Sequence, residues 1–289
     1  PVDHSLGPRL HNAAFRAAGE DAVYLPLPVD AGWESFKATL ATLLETPAVG
    51  FAGASVTIPH KEHALRLATE RGGLVDPLAE LAGAANTLWT DAGGRLHAAN
   101  TDAPAVLAAL APPLVAVGRD AAACRVAILG AGGAARAAAA AFAAAGADVR
   151  ICGRTAARVE ALCGHLDGRP RPGGDGPMRV RPVAAGDLAA LAAAGELDTW
   201  INATPVGMDG GPEPEGDPLP PEVLLGPGHA VLETVYTPLR TPLVRRAEAA
   251  GASVATGEAM FRHQAEAQFL AWTGRPMPDA AWDAVRRGG

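Results

Sequence analysis

The stretch VAILGAGGAARAA, residues 126–138, constrains the fold of this chain more than any other. An apolar run of strand character leads into a glycine turn, and an alanine-rich helical run follows. The next segment, ADVRICGR, reads as a second strand, completing a βαβ unit of a parallel sheet. Gly130, Gly132 and Ala135 fall in a G-x-G-x-x-A pattern, which predicts a dinucleotide site over Gly130, Ala131, Gly132, Gly133, Ala134 and Ala135. The first glycine permits the tight turn, and the second lets the backbone approach a pyrophosphate. The helix start then offers free N–H groups and a positive dipole end. A glycine turn without a ligand is the plainer reading, and the flanking strand and helix weigh against it.

About 20 residues beyond such a turn, an acid usually takes the adenosine ribose of NAD. Here the second strand ends in CGRTAAR, with Gly153 and Arg154 in that place and Thr155 and Arg158 close behind. Arginine grips a 2′-phosphate by charge-assisted hydrogen bonds, so the expected cofactor is NADP. In a chain rich in arginine, two ordinary surface arginines are the competing explanation.

Before this unit, residues 1 to about 102 form a region of their own. PRLHNAAFRAAGE reads as a helix opening at Pro8 and ending near Gly19. VYLPLPV, VGFAGASVTI and AANTLWTDAGGRLHAAN read as strands, the last folded at a Gly93-Gly94 hairpin turn. APAVLAALAPP then reads as a helix leading out of the region. LDTWINAT and HAVLETVY continue the later parallel sheet, and EAMFRHQAEAQFLAWTG is a strong helix outside the βαβ pattern.

Composition narrows the class of partner. A net charge of −7 argues against a nucleic-acid surface, and 13 aromatic residues leave little for base stacking. The Ala134–Ala145 run is too short and too weakly apolar to span a bilayer. Three cysteines without a CxxC, and histidines without acidic partners at ligand spacing, give no metal set; they point to reduced thiols and a cytoplasmic protein. His4, His11, His60 and His63 read as structural or rim residues.

Only two lysines stand among 24 basic residues, Lys37 and Lys61. Lys61 follows SVTIPH and is expected at a strand end, where ligands gather in open α/β sheets. Ser55, Thr57 and Asn86 supply small hydrogen-bonding groups suited to a polyhydroxylated molecule, and Asp102 lies in ANTDA just before a helix. Ser5 precedes the helix opening at Pro8 and can meet an anion there. Singly, each has a plainer explanation: a solvated lysine, an N-capping aspartate, a turn serine. Together, beside a dinucleotide unit, they point to a catalytic site.

The segments HSLGPRLHNAAF, SVTIPHK, GAANTL, NTDA, GAGGAAR, GRTAAR, NATPVGM, VYTPLRTPL and GEAMFRHQ occur in the order found in the shikimate/quinate dehydrogenase family, and the chain resembles that family over nearly its whole length. The resemblance implies an α/β protein of two domains. An N-terminal α/β substrate domain (1–103), completed by C-terminal helices (257–289), would carry an inserted Rossmann NADP-binding domain (104–256), with the active site between them. It implies Lys61 and Asp102 as the catalytic pair. Ser5, Gly7, Ser55, Thr57, Asn86, Tyr236 and Gln264 fall at substrate positions. Ala203, Thr204, Pro205, Met208, Val235 and Gly257 border the cofactor, with the Gly130–Ala135 turn and Gly153, Arg154, Thr155 and Arg158. The implied reaction is the reversible NADPH-dependent reduction of 3-dehydroshikimate to shikimate. Lys61 then serves as proton donor or as electrostatic anchor, and arginine cannot replace it in the first role because its pKa lies above about 12.

Three positions depart from the family pattern. Gly7 replaces the second serine of Ser-x-Ser-Pro, which removes a hydroxyl and makes room for the bulkier quinate; Thr57 remains as in members that act on shikimate. Ser55 stands where many members have Asn, and Ala103 where Gly is usual. Quinate or aminoshikimate is thus the alternative substrate, and a non-catalytic NADP-binding regulator is the rival from another class. A homodimer and an upstream fused domain, such as the dehydroquinate dehydratase domain of some relatives, are both compatible with the sequence.

Overall fold

The computed structural model describes residues 5–286, so His4 and the other terminal residues lie outside the description. The chain divides into two compact units, residues 1–101 with 264–289, and residues 102–263.

The first unit opens with helix α1 (Gly7–Ala18), which begins with Pro at its first turn and ends on Gly19 at φ 70°, where the left-handed backbone suits glycine. Helix α2 (Trp33–Glu45), strand β1 (Gly53–Ser55), helix α3 (Lys61–Glu70), strand β2 (Leu74–Val75) and helix α4 (Pro77–Ala82) follow. The hairpin of β3 (Thr87–Thr90) and β4 (Leu96–Ala99) completes a four-stranded sheet in the order β1-β3-β4-β2. Its turn is held by Asp91, whose Oδ1 accepts from the amides of Gly93 and Arg95. Phe36, Leu40, Val56, Leu67, Leu88 and Leu96 form the core beneath this sheet.

The expected strand VYLPLPV is not one. Residues 21–30 are irregular, because Pro26 and Pro28 lack the amides a ladder needs at alternate positions. Lys61 also differs in place from the expectation: β1 ends at Ser55, and Lys61 is the first residue of α3.

The second unit runs through α5 (Asp102–Ala116), β5 (Arg125–Leu129), α6 (Gly133–Ala145), β6 (Asp148–Cys152), α7 (Ala156–Leu166), β7 (Arg179–Pro182), α8 (Leu188–Ala193), β8 (Thr199–Asn202), β9 (Ala230–Glu233), α9 (Pro242–Ala249) and β10 (Ser253–Ala255). Its six strands are all parallel, in the order β10-β9-β8-β5-β6-β7. The first strand of the unit is central and the order reverses around it, the doubly wound Rossmann arrangement, whose ligand crevice lies at the carboxyl ends of the central strands. Trp200, Leu129, Leu188, Val231 and Leu243 fill the core on one face. On α6, Ala137–Ala141, Phe142 and Ala143 are at most 2% exposed. Helix α10 (Gly257–Thr273) crosses from this unit back into the first, which ends with α11 (Ala280–Arg286). Among the described residues, no helix is long and apolar enough to cross a membrane.

Candidate functional site

In the second unit the glycine turn has the geometry its sequence requires. Gly130 has φ 115°, and a β-carbon there would lie 2.7 Å from the carbonyl oxygen of Ala203. No side chain is tolerated in that gap. Gly132, which precedes α6, meets nothing within 4 Å of such a carbon, so open space lies against this backbone. Helix α6 has no acidic residue in its first turn and no side-chain cap. Its leading N–H groups therefore face that space with the dipole's positive end. Ala131, Gly133 and Ala134 are half-buried around the turn, and Ala135 is fully buried.

Beyond the ends of β6 and β7 lies a groove of about 790 Å³ lined by Gly153, Ala156, Val159, Val183 and Ala185. Arg154, Thr155 and Arg158 are exposed in the same 153–159 segment. Arg154 and Arg158 make no side-chain hydrogen bond or ion pair among the described residues, whereas Arg125, Arg150 and Arg246 in the same unit are all paired with aspartates. Two unengaged guanidinium groups beside an open groove suit a phosphate.

The loop after β8 forms the other wall of the turn. Asn202 Oδ1 accepts from the amide of Thr204 at 3.0 Å and from its hydroxyl at 2.7 Å. Ala203 and Thr204 are half-buried there, while Pro205 and Met208 are exposed. A β-carbon on Gly257 would lie 2.4 Å from the carbonyl oxygen of Val235, so the start of α10 packs directly on the backbone after β9. The ring of Tyr236 lies 5.5 Å from that of Phe261, and burial pushes its phenol above the ordinary range.

In the first unit, polar groups from two segments, 86–87 and Thr101, meet at Asn86. Asn86 is buried, and its Oδ1 accepts from Thr101 N at 2.8 Å, Thr87 Oγ1 at 2.9 Å and Thr101 Oγ1 at 3.1 Å. Three donors on one oxygen fix the amide. Its Nδ2 makes no hydrogen bond among the described residues and is left for a ligand. Lys61 is half-buried at the start of α3, and its carbonyl accepts from the amide of Ala85 at 2.9 Å, tying the lysine to the GAANT segment. A cation at that end of a helix opposes the dipole, a placement that does not favour stability. Thr57 is exposed, and its carbonyl accepts from the His60 amide at 2.9 Å, closing the turn before α3. Asp102 opens the second unit and is buried at the first position of α5.

Two residues join this cluster that the sequence did not single out. Gln268 is 1% exposed, and its Nε2 donates to Ser55 Oγ at 3.1 Å and Thr87 Oγ1 at 3.2 Å. It lies one helical turn after Gln264, a spacing that was legible in GEAMFRHQAEAQ. Tyr24 is the second. Its phenol is hydrogen-bonded to Ser55, and burial raises its pKa. Its backbone is clamped by Asn12, whose Nδ2 donates to Tyr24 O at 2.8 Å and whose Oδ1 accepts from Tyr24 N at 2.7 Å. The ring stacks on His11 at 5.0 Å, and burial lowers the pKa of that imidazole to about 4, with nearby Gln268 opposing. One signal was available: Tyr24 is one of only two tyrosines in the chain.

Tyr24 is also a neighbour of Gly7. A β-carbon at Gly7 would lie 3.1 Å from Ser5 Oγ and 3.3 Å from the Tyr24 hydroxyl, tight contacts with two polar groups. The Gly7 amide donates to Ser5 Oγ at 3.1 Å.

A family model for the shikimate dehydrogenase substrate-binding domain matches residues 1–88. The shikimate dehydrogenase (NADP(+)) of Moorella thermoacetica is 40% identical over 288 residues, which covers 99% of this chain and 90% of that protein. Among solved structures, shikimate 5-dehydrogenase from Thermus thermophilus, in complex with NADP(H) and shikimate, is 33% identical with a TM-score of 0.74, covering 99% of this chain and 96% of the other. Quinate dehydrogenase from Corynebacterium glutamicum, in complex with NAD, is 29% identical with a TM-score of 0.80, covering 99% and 96%. With a six-stranded nucleotide fold in one unit and a polar cluster around Asn86 in the other, and with 40% identity extending along both, the chain belongs to the shikimate dehydrogenase family.

Proposed function

We propose that this protein is an NADP-dependent shikimate dehydrogenase, which reduces the ring ketone of 3-dehydroshikimate to the alcohol of shikimate and runs in reverse. The observation that carries this reading is the cluster of Ser5, Tyr24, Ser55, Asn86 and Gln268 in the unit that presents Lys61, a set of small neutral donors and acceptors matched to a polyhydroxylated acid. In this reading residues 1–103 and 257–289 bind the substrate and 104–256 bind the cofactor. Ser5 and Gly7 are the carboxylate positions, Thr57, Asn86 and Gln264 serve the ring and its hydroxyls, and Tyr236 is the substrate residue of the second unit.

The residues present fit NADP. Gly132 leaves room for the pyrophosphate, the start of α6 supplies amides, and Arg154 and Arg158 stand ready for a 2′-phosphate with Gly153 and Thr155. Ala203, Thr204, Pro205, Met208, Val235 and Gly257 border the remainder of the cofactor. When bound, NADPH supplies a hydride to the carbonyl carbon. The Lys61 ammonium serves the negative charge that builds on the carbonyl oxygen, as an electrostatic anchor or as the proton donor itself. Asp102 is the second member of the catalytic pair in this reading.

Gly7 favours a second reading, quinate dehydrogenase, by removing a side chain at the carboxylate end. The Tyr24 hydroxyl in that space favours shikimate. The three cysteines are all free thiols, in keeping with a cytoplasmic protein. The deciding measurement is kcat/KM for shikimate and quinate, each with NADP and NAD. Shikimate with NADP is expected to be the highest of the four, and a higher value for quinate would overturn the substrate assignment.

A further inference from the structure

Glu233 is a fully buried acid that the reaction does not use. It is the last residue of β9 and the register partner of Asn202, the last residue of β8. Asn202 Nδ2 donates to both its oxygens, at 2.9 and 3.1 Å, Val235 N donates to Oε1 at 2.9 Å, and Thr241 Oγ1 donates to Oε2 at 2.8 Å. In the observed arrangement every partner donates to one of its two oxygens, so the position suits a side chain that offers two acceptor oxygens.

What that carboxylate fixes is the direction of an amide. The oxygen and nitrogen of an asparagine are nearly equal in size, and only their partners decide which way the group turns. On one side Asn202 Nδ2 faces Glu233 and the carbonyl of Val206, the latter at 3.1 Å. On the other, Asn202 Oδ1 receives the amide and hydroxyl of Thr204. Turned over, the amide would set its NH2 against the donors of Thr204 and its oxygen against a carboxylate. In the observed orientation, Thr204 Cγ2 lies 3.3 Å and Ala203 O 2.7 Å from the position of a β-carbon on Gly130. One polar chain thus runs from β9 through Asn202 to the wall of the glycine turn.

We propose that Glu233 is a positioning residue for the cofactor: its carboxylate locks the Asn202 amide, which holds the 203–208 loop against the Gly130 turn and so sets the affinity for NADP. Glu233 touches neither cofactor nor substrate. The inference rests on the NADP reading of this site.

Glu233→Gln keeps the shape and turns one acceptor into a donor aimed at donors. Its Kd for NADP, measured by fluorescence titration of the purified full chain, is expected to rise about tenfold. The ratio of NADP to NAD affinity and the KM for shikimate at saturating cofactor should stay within about twofold, because Arg154 and the substrate cluster are not part of this chain of contacts. A purely structural acid would instead lower the unfolding midpoint and leave the Kd of the folded protein unchanged. Should Glu233→Gln fold poorly, a polarity swap decides. Asn202→Asp alone puts two carboxylates face to face; adding Glu233→Gln restores a donor opposite an acceptor and is expected to recover at least about fivefold in Kd. A folded Glu233→Gln that binds NADP as the wild type does, or a double variant no better than Asn202→Asp, would overturn the proposal. Failure of the wild type itself to bind NADP would sink the cofactor reading and this inference with it.

Discussion

The hydroxyl of Tyr24 lies 3.3 Å from the point where a β-carbon on Gly7 would stand. The two positions therefore compete for one volume, and a serine at 7 must displace Ser5 or Tyr24 by a few tenths of an ångström. Gly7→Ser alone is expected to raise the KM for shikimate several-fold rather than lower it. Gly7→Ser combined with Tyr24→Phe, which vacates the hydroxyl's place, should bring KM back towards the wild-type value. Steady-state KM values for the four proteins form a double-mutant cycle. Additive effects would mean that the two residues do not share the space.

Lys61→Ala should lower kcat by about 10²–10³-fold, the range for losing a positioned acid and its charge, with the KM for shikimate changed only a few-fold. Lys61→Arg separates the two roles. It keeps the charge and cannot exchange a proton near neutrality. Recovery of most of the rate in Lys61→Arg would assign the lysine as an anchor, and a rate as low as that of Lys61→Ala would assign it as the donor.

Arg154→Asp should reverse the coenzyme preference. A carboxylate repels the 2′-phosphate and accepts from a ribose hydroxyl, so kcat/KM is expected to fall with NADP and to rise or hold with NAD. An unchanged ratio would place the phosphate elsewhere.

Two buried groups should tilt stability with pH in opposite directions. Burial pushes the Glu233 carboxyl from 4.5 up to about 7, so its contribution is fully present below pH 4.5 and is lost as pH rises through 7. Burial lowers the His11 imidazole from 6.5 to about 4, so its contribution is present above pH 6.5 and is lost as pH falls towards 4. Each spans roughly 2.5 pH units, on the order of 3 kcal/mol. Urea unfolding of the wild type, Glu233→Gln and His11→Phe at pH 4.5, 6 and 8 should show that Glu233→Gln has lost the decline on the alkaline side. His11→Phe should have lost the decline on the acid side. Parallel pH profiles in all three would refute both assignments.

The nucleotide unit was legible because local signals agreed: apolar strands, a glycine turn and an alanine helix each imply the next. Strands β7 and β10 escaped because RVRP and SVA are too short and too polar for a pattern to show. In the first unit, the hairpin was readable from its glycines, while Pro26 and Pro28 outweighed the apolar alternation around them. Lys61 was found by its scarcity, yet its place at a helix start depends on a strand that stops after three residues. Tyr24 and Ser55 are 31 residues apart, and Gln268 meets Ser55 from the far end of the chain; such contacts belong to tertiary packing and leave no mark on local sequence. Glu233 looked like an ordinary acid in VLETVY, because nothing in that stretch tells that several donors converge on it.

Helix α6 has one large apolar side chain, Phe142, among alanines that are almost wholly buried. Alanine loses no rotamer freedom on folding, so this helix forms cheaply. It also leaves almost no tolerance for drift. A valine or leucine at Ala137–Ala141 would overpack the interior, at about 1–3 kcal/mol per site, and would push the helix, with its leading amides, out of line with the glycine turn. The part of the chain that looks most like filler is the part with the fewest acceptable neighbours in sequence space.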